Sequence, residues 1–84
     1  MQVEFTQHAL ARMAERGISR DEVLSTPDHP LRTVNAENSR LEVQGWIERS
    51  QKRMLLRVIY ENGLVVTVVT VMATSKFEKY GAAS

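Results

Sequence analysis

The sequence predicts an α+β domain: an N-terminal helix pair packed on a four-stranded antiparallel sheet, with a short C-terminal helix. Three observations carry this expectation. Between Phe5 and Ser25, apolar residues recur at helical spacing on either side of Gly17. From Arg32 to Met72 the chain alternates polar and apolar residues or runs in β-branched stretches. Helical and strand segments are segregated rather than interleaved, which separates α+β from alternating α/β folds.

Each element has its own signal. Met1 to Phe5 reads as a short lead-in strand. Thr6 is the expected N-cap of a helix ending at Arg16, and Gly17 its left-handed C-cap. Ser19-Arg20-Asp21-Glu22 spells a capping box for a second, brief helix, Arg20 to Ser25. Pro27 and Pro30 end that helix and open a loop. Arg32 to Ala36 is a weak strand. In Arg40 to Glu48, Leu41, Val43 and Ile47 fall on one face and Glu42, Gln44, Trp46 and Glu48 on the other. The polar run Arg49 to Lys52 is a turn. Arg53 to Glu61 and Leu64 to Met72 flank Asn62-Gly63, whose pairing with a type I′ turn sets Tyr60 opposite Val65, Val58 opposite Thr67 and Arg57 opposite Val68. That turn requires a left-handed backbone at Gly63, so Gly63→Val is expected to strain it. Thr74 to Tyr80 is the C-terminal helical turn.

The chain has 84 residues, enough for one domain (1–84) with a small core. It contains no cysteine, which excludes disulfides and thiolate metal sites. His8 and His29 lack ligand spacing, so neither a metal nor a cofactor is expected. There is no signal-peptide pattern and no apolar run long enough for a membrane helix, which makes the cytoplasm the expected location. The formal net charge of +1 does not mark a nucleic-acid binder, so any such role rests on local clusters. There are two: His8, Arg12 and Arg16, and the run Arg49-Ser-Gln-Lys52-Arg53.

His8, Arg12 and Arg16 lie four residues apart and form one ridge on the first helix, beside the apolar positions Phe5, Ala9, Leu10 and Met13. Two arginines at i,i+4 repel weakly, and a phosphate would relieve them. Glu15, or carboxylates from the sheet, would relieve them equally well. Arg57 is a mid-strand cation that either joins such a site or stands exposed to solvent, paired with an acid such as Glu42 on the next strand.

The pattern Phe5-x-x-His8-Ala9-x-x-Arg12-Met13-x-x-Arg16-Gly17-Ile18-Ser19, followed by Arg57-Val-Ile-Tyr60 and the Val-Val-Thr70-Val strand, resembles a small bacterial family filed as a domain of unknown function. That family lies within or near the RelE-like toxins and the wider barnase/EndoU/colicin/RelE fold. More loosely, the chain is similar to BrnT-type toxins, although Val71-Met72 stands where those usually carry a basic residue. The resemblance implies a ribonuclease-like toxin of a toxin–antitoxin pair, with RNA (ribosome-bound mRNA or tRNA) and a cognate antitoxin protein as partners. Metal-independent cleavage through 2′-OH attack needs a base, a cation for the phosphorane and a proton donor. His8 is the candidate base, because imidazole titrates near neutral pH. Arg12, Arg16 and Arg57 are the candidate phosphate ligands. Trp46, Tyr60, Lys76, Lys79 and Tyr80 are candidate RNA contacts by stacking or charge. The alternative is a non-catalytic protein- or RNA-binding module on the same fold.

Overall fold

The computed structural model describes residues 2–27 and 29–76. The chain forms β1 (Val3–Phe5), α1 (Gln7–Arg16), α2 (Arg20–Ser25), β2 (Arg32–Asn35), a 3-10 turn (Glu37–Ser39), β3 (Leu41–Arg49), β4 (Lys52–Glu61) and β5 (Val66–Thr74). The architecture is still α+β, but the sheet is neither four-stranded nor wholly antiparallel. Among the described residues five strands lie in the order β1-β5-β4-β3-β2. The lead-in strand joins the sheet by pairing parallel to β5, Val3 with Val66 and Phe5 with Val68. The remaining pairs are antiparallel. Of the expected C-terminal helix, Thr74 is the last residue of β5, and Phe77 onward lies outside the described residues.

The two helices follow their caps. Thr6 Oγ1 accepts from the Ala9 amide at 3.0 Å. Gly17 adopts φ +64°, and the Ile18 amide closes the end of α1 on the Met13 carbonyl. At α2 both halves of the capping box form: Ser19 Oγ accepts from the Glu22 amide, and Glu22 Oε1 accepts from the Ser19 amide.

The β4–β5 register differs from expectation. Val58 pairs with Val71, Arg57 with Met72 and Leu55 with Thr74, each displaced by four residues along β5 from a two-residue turn. As far as Ile59 the displacement of four is even, so those partners keep their faces and alternation alone does not distinguish the two registers. Past it Tyr60 pairs with Val68 and Glu61 with Thr67, a displacement of three. That turns Val66 and Val68 from the face away from the helices, where a two-residue turn would put them, to the helix-bearing face. Neither Asn62 nor Gly63 has a positive φ, so no type I′ turn forms there and the expected strain at Gly63→Val is absent. The type I′ signature sits instead at Ser50 (φ +50°) and Gln51 (φ +67°), between the paired Arg49 and Lys52.

A bulge completes the new register. Between the pairs Ile59–Thr70 and Tyr60–Val68, Val69 is an extra residue. Its carbonyl accepts from Thr6 Oγ1 at 2.7 Å, and the Val68 carbonyl accepts from the Thr6 amide at 3.0 Å. Thr6 thus caps α1 and ties its start to β5.

Both helices lie on one face of the sheet. Ala9 and Met13 of α1, with Ile18 and Val23, pack on Ile47, Leu56, Val58, Val68 and Val71. Gly45 lets α2 approach: a Cβ there would meet Thr26 Cγ2 at 3.1 Å. No helix among the described residues is long and apolar enough to cross a membrane.

Candidate nucleic-acid interface

The arginines fall into two groups, those held by the fold and those it leaves open. Arg49, at the end of β3, grips Glu22 with both terminal nitrogens (2.5 and 2.7 Å) and donates to the Gly17 carbonyl at 2.9 Å. The same Glu22 carboxylate belongs to the capping box, so one side chain starts α2 and clamps it to the sheet. The Arg49 hydrogen bonds dominate its titration. They hold the Glu22 carboxyl down to about 2 against the opposing effect of burial, with help from the Ser19 amide. Reciprocally, Glu22 raises the pKa of Arg49.

Arg57 is held in the same way on the other face of the sheet. Its Nε and Nη2 donate to the two Glu42 oxygens at 2.9 and 2.8 Å, and Gln44 Nε2 donates to Glu42 Oε2 at 2.7 Å. Arg57 keeps 16% of its side-chain exposure and Glu42 keeps 9%. Hydrogen bonding from Arg57 lowers the Glu42 pKa despite burial. The neighbouring-strand acid anticipated for Arg57 is therefore its partner, in a buried pair rather than an exposed one.

The α1 ridge is different. His8 and Arg16 are exposed, and neither has an ion-pair or hydrogen-bond partner on its side chain among the described residues. Arg12 stands 3.9 Å from Glu15, one helical turn on, with 41% of its side chain and 64% of that of Glu15 exposed. Its Nε is buried and has no acceptor among the described residues. A pair this long and this exposed is at the weak end of surface ion pairs.

The Arg49–Gly17 bond also joins the two basic clusters in space. It holds the β3–β4 hairpin tip against the turn that follows Arg16, so Lys52 and Arg53 lie at the same end of the molecule as the C-terminal end of α1. Arg53 stacks on Trp46, its guanidinium carbon 4.1 Å from the ring centroid. Lys76 is exposed just past β5, whose last residue pairs with Leu55 at this same end. Acids share this region: Glu15 beside Arg12, Glu48 opposite Arg53, and the clamped Glu22.

The expected site residues do not all converge. His8, Arg12 and Arg16 share α1. Arg57 and Trp46 lie on the sheet face away from the helices, and Tyr60 lies on the helix-bearing face, in an apolar groove beside α2. Lys79 and Tyr80 lie outside the described residues. His29 is an exposed loop residue whose amide donates to the Ser25 carbonyl. No group of three His, Asp or Glu side chains among the described residues is arranged to hold a metal. The Glu22–Arg49 clamp had no local sequence signal, because its partners are 27 residues apart.

A family model described as a domain of unknown function, DUF4258, matches residues 5–77. The chain belongs to the DUF4258 family. The match spans the ridge, the helix pair and all of β2 to β5, so the site described above lies within the DUF4258 domain. No curated protein and no solved structure matches the chain.

Proposed function

We propose that this protein binds RNA along its backbone, with the α1 ridge as the centre of the site and the hairpin tip as its extension. One contrast carries the reading: among the described residues, Arg40, Arg49 and Arg57 each have a hydrogen-bonded carboxylate, whereas His8 and Arg16 have none and Arg12 has only the distant Glu15. Unpaired cations on a helix ridge, whose Arg16 end meets the basic hairpin tip of a nearly neutral domain, suit a ligand carrying phosphates. Arg12 and Arg16 would grip successive phosphates, and Lys52, Arg53 and Lys76 would add steering charge.

The exposure of His8 on that ridge favours a second reading, metal-independent cleavage by a toxin of a toxin–antitoxin pair. His8 would take the 2′-OH proton and Arg12 would stabilise the phosphorane. An antitoxin protein would then cover the ridge. Arg57 has no part in such a site, since it is locked to Glu42 behind the sheet.

Incubation of labelled single-stranded RNA with the purified chain in EDTA separates the readings. Binding that falls with Arg12→Ala or Arg16→Ala, with the RNA intact, supports the binding module. Products ending in a 2′,3′-cyclic phosphate, lost about 10²–10⁴-fold in His8→Ala, support the ribonuclease. Absence of binding at low salt removes both.

A further inference from the structure

An apolar groove of about 390 Å³ opens on the helix-bearing side of the sheet, at the end away from the hairpin tip. Its floor includes Val58, Tyr60 and Val66, and its wall is the end of α2 with Val23, Leu24 and Pro27. Among the described residues none that lines it is charged, which disfavours a nucleic acid as its occupant. Two of them, Asn62 and Val66, flank the β4–β5 loop, and between them Leu64 stands fully exposed. An apolar knob therefore stands beside an apolar hole on one small patch.

The knob does not fill its own hole, since Leu64 remains entirely in solvent. A protruding group beside its own receptor allows a closed two-fold pair, in which each copy inserts into the other through equivalent contacts. We propose that two copies of this chain associate about such an axis at the β4–β5 loop, each seating Leu64 in the groove of the other. Leu24, 38% exposed on the groove wall, would be covered by the same contact. The patch includes no ridge residue, so the inference does not rest on RNA binding.

Sedimentation velocity of the full chain, from about 10 μM to about 1 mM, tests this. The expected result is a concentration-dependent monomer–dimer equilibrium. Leu64→Ser should weaken it at least about tenfold while leaving the melting of the dilute chain unchanged, because Leu64 is fully exposed in the monomer. Leu24→Glu, which places a charge on the groove wall, should weaken it likewise. An equimolar mixture of the two variants retains one intact knob and one intact groove, and should associate more tightly than either variant alone. A chain monomeric throughout, a Leu64→Ser dimer as tight as the parent, or a mixture no tighter than its components would each overturn the proposal.

Discussion

Ser50 and Gln51, like Ser39 in the 3-10 turn, are poorly suited to their backbone. Both sit in the left-handed region, at φ +50° and +67°, which costs a residue with a Cβ roughly 1–2 kcal/mol. Asn and Gly are the residues that a type I′ turn favours. Ser50→Asn with Gln51→Gly should therefore raise stability by about 0.5–1 kcal/mol, read as a rise of a few degrees in melting temperature. A fall would show that the hairpin turns elsewhere. Glu22 gives a second test at this scale. Its folded pKa lies at about 2, below the ordinary carboxylate value, so its contribution is complete above about pH 4.5. It declines as pH falls towards 2, because the unfolded chain takes up the proton first. Glu22→Gln should lower stability at pH 7, and the deficit relative to the parent should shrink steadily between about pH 4.5 and 2. A deficit independent of pH would mean that Glu22 acts only through capping geometry. The caps themselves were legible, since Thr6, Gly17 and Ser19-x-x-Glu22 act between neighbours in sequence. Arg49 was not: its residue type marked it as basic, and only tertiary structure supplied Glu22.

Among the elements, the helices were legible and the last hairpin was not. Cap chemistry fixes helix ends within a few residues, and α2 runs from Arg20 to Ser25 as its signals require. Strand alternation has a period of two, so it assigned Met54, Leu56 and Val58 to the core face but left the β4–β5 register open to any even displacement. Two tertiary contacts close that choice, the parallel pairing of β1 with Val66–Val68 and the anchoring of the Val69 bulge by Thr6. The seat of α2 on β3 yields the prediction for this scale. At Gly45, an alanine would press its methyl against Thr26 Cγ2, so Gly45→Ala should cost about 1–3 kcal/mol in a denaturant titration. Adding Thr26→Ser removes that methyl and keeps the 2.8 Å bond from Thr26 Oγ1 to the Glu22 carbonyl, so it should restore most of the loss. Losses that simply add would place α2 farther from β3 than the structure has it.

For the whole molecule, charge placement matters more than net charge. The chain carries a formal +1, yet its fold neutralises arginines selectively and brings the two basic segments to one end. The α1 ridge was legible because helical spacing puts residues four apart on one side. Its separation from Arg57 was not, because it depends on which sheet face the helices cover. The most direct test of the RNA reading is the salt dependence of binding to a single-stranded oligonucleotide, measured for the parent chain and for Arg12→Ala. A surface change of this kind should leave stability within about 0.5 kcal/mol, which a melt confirms. If Arg12 contacts a phosphate, the slope of log K against log salt should become shallower by about 0.7 and affinity at low salt should fall. A parent slope near zero, or an Arg12→Ala slope and affinity equal to the parent's, would contradict the account.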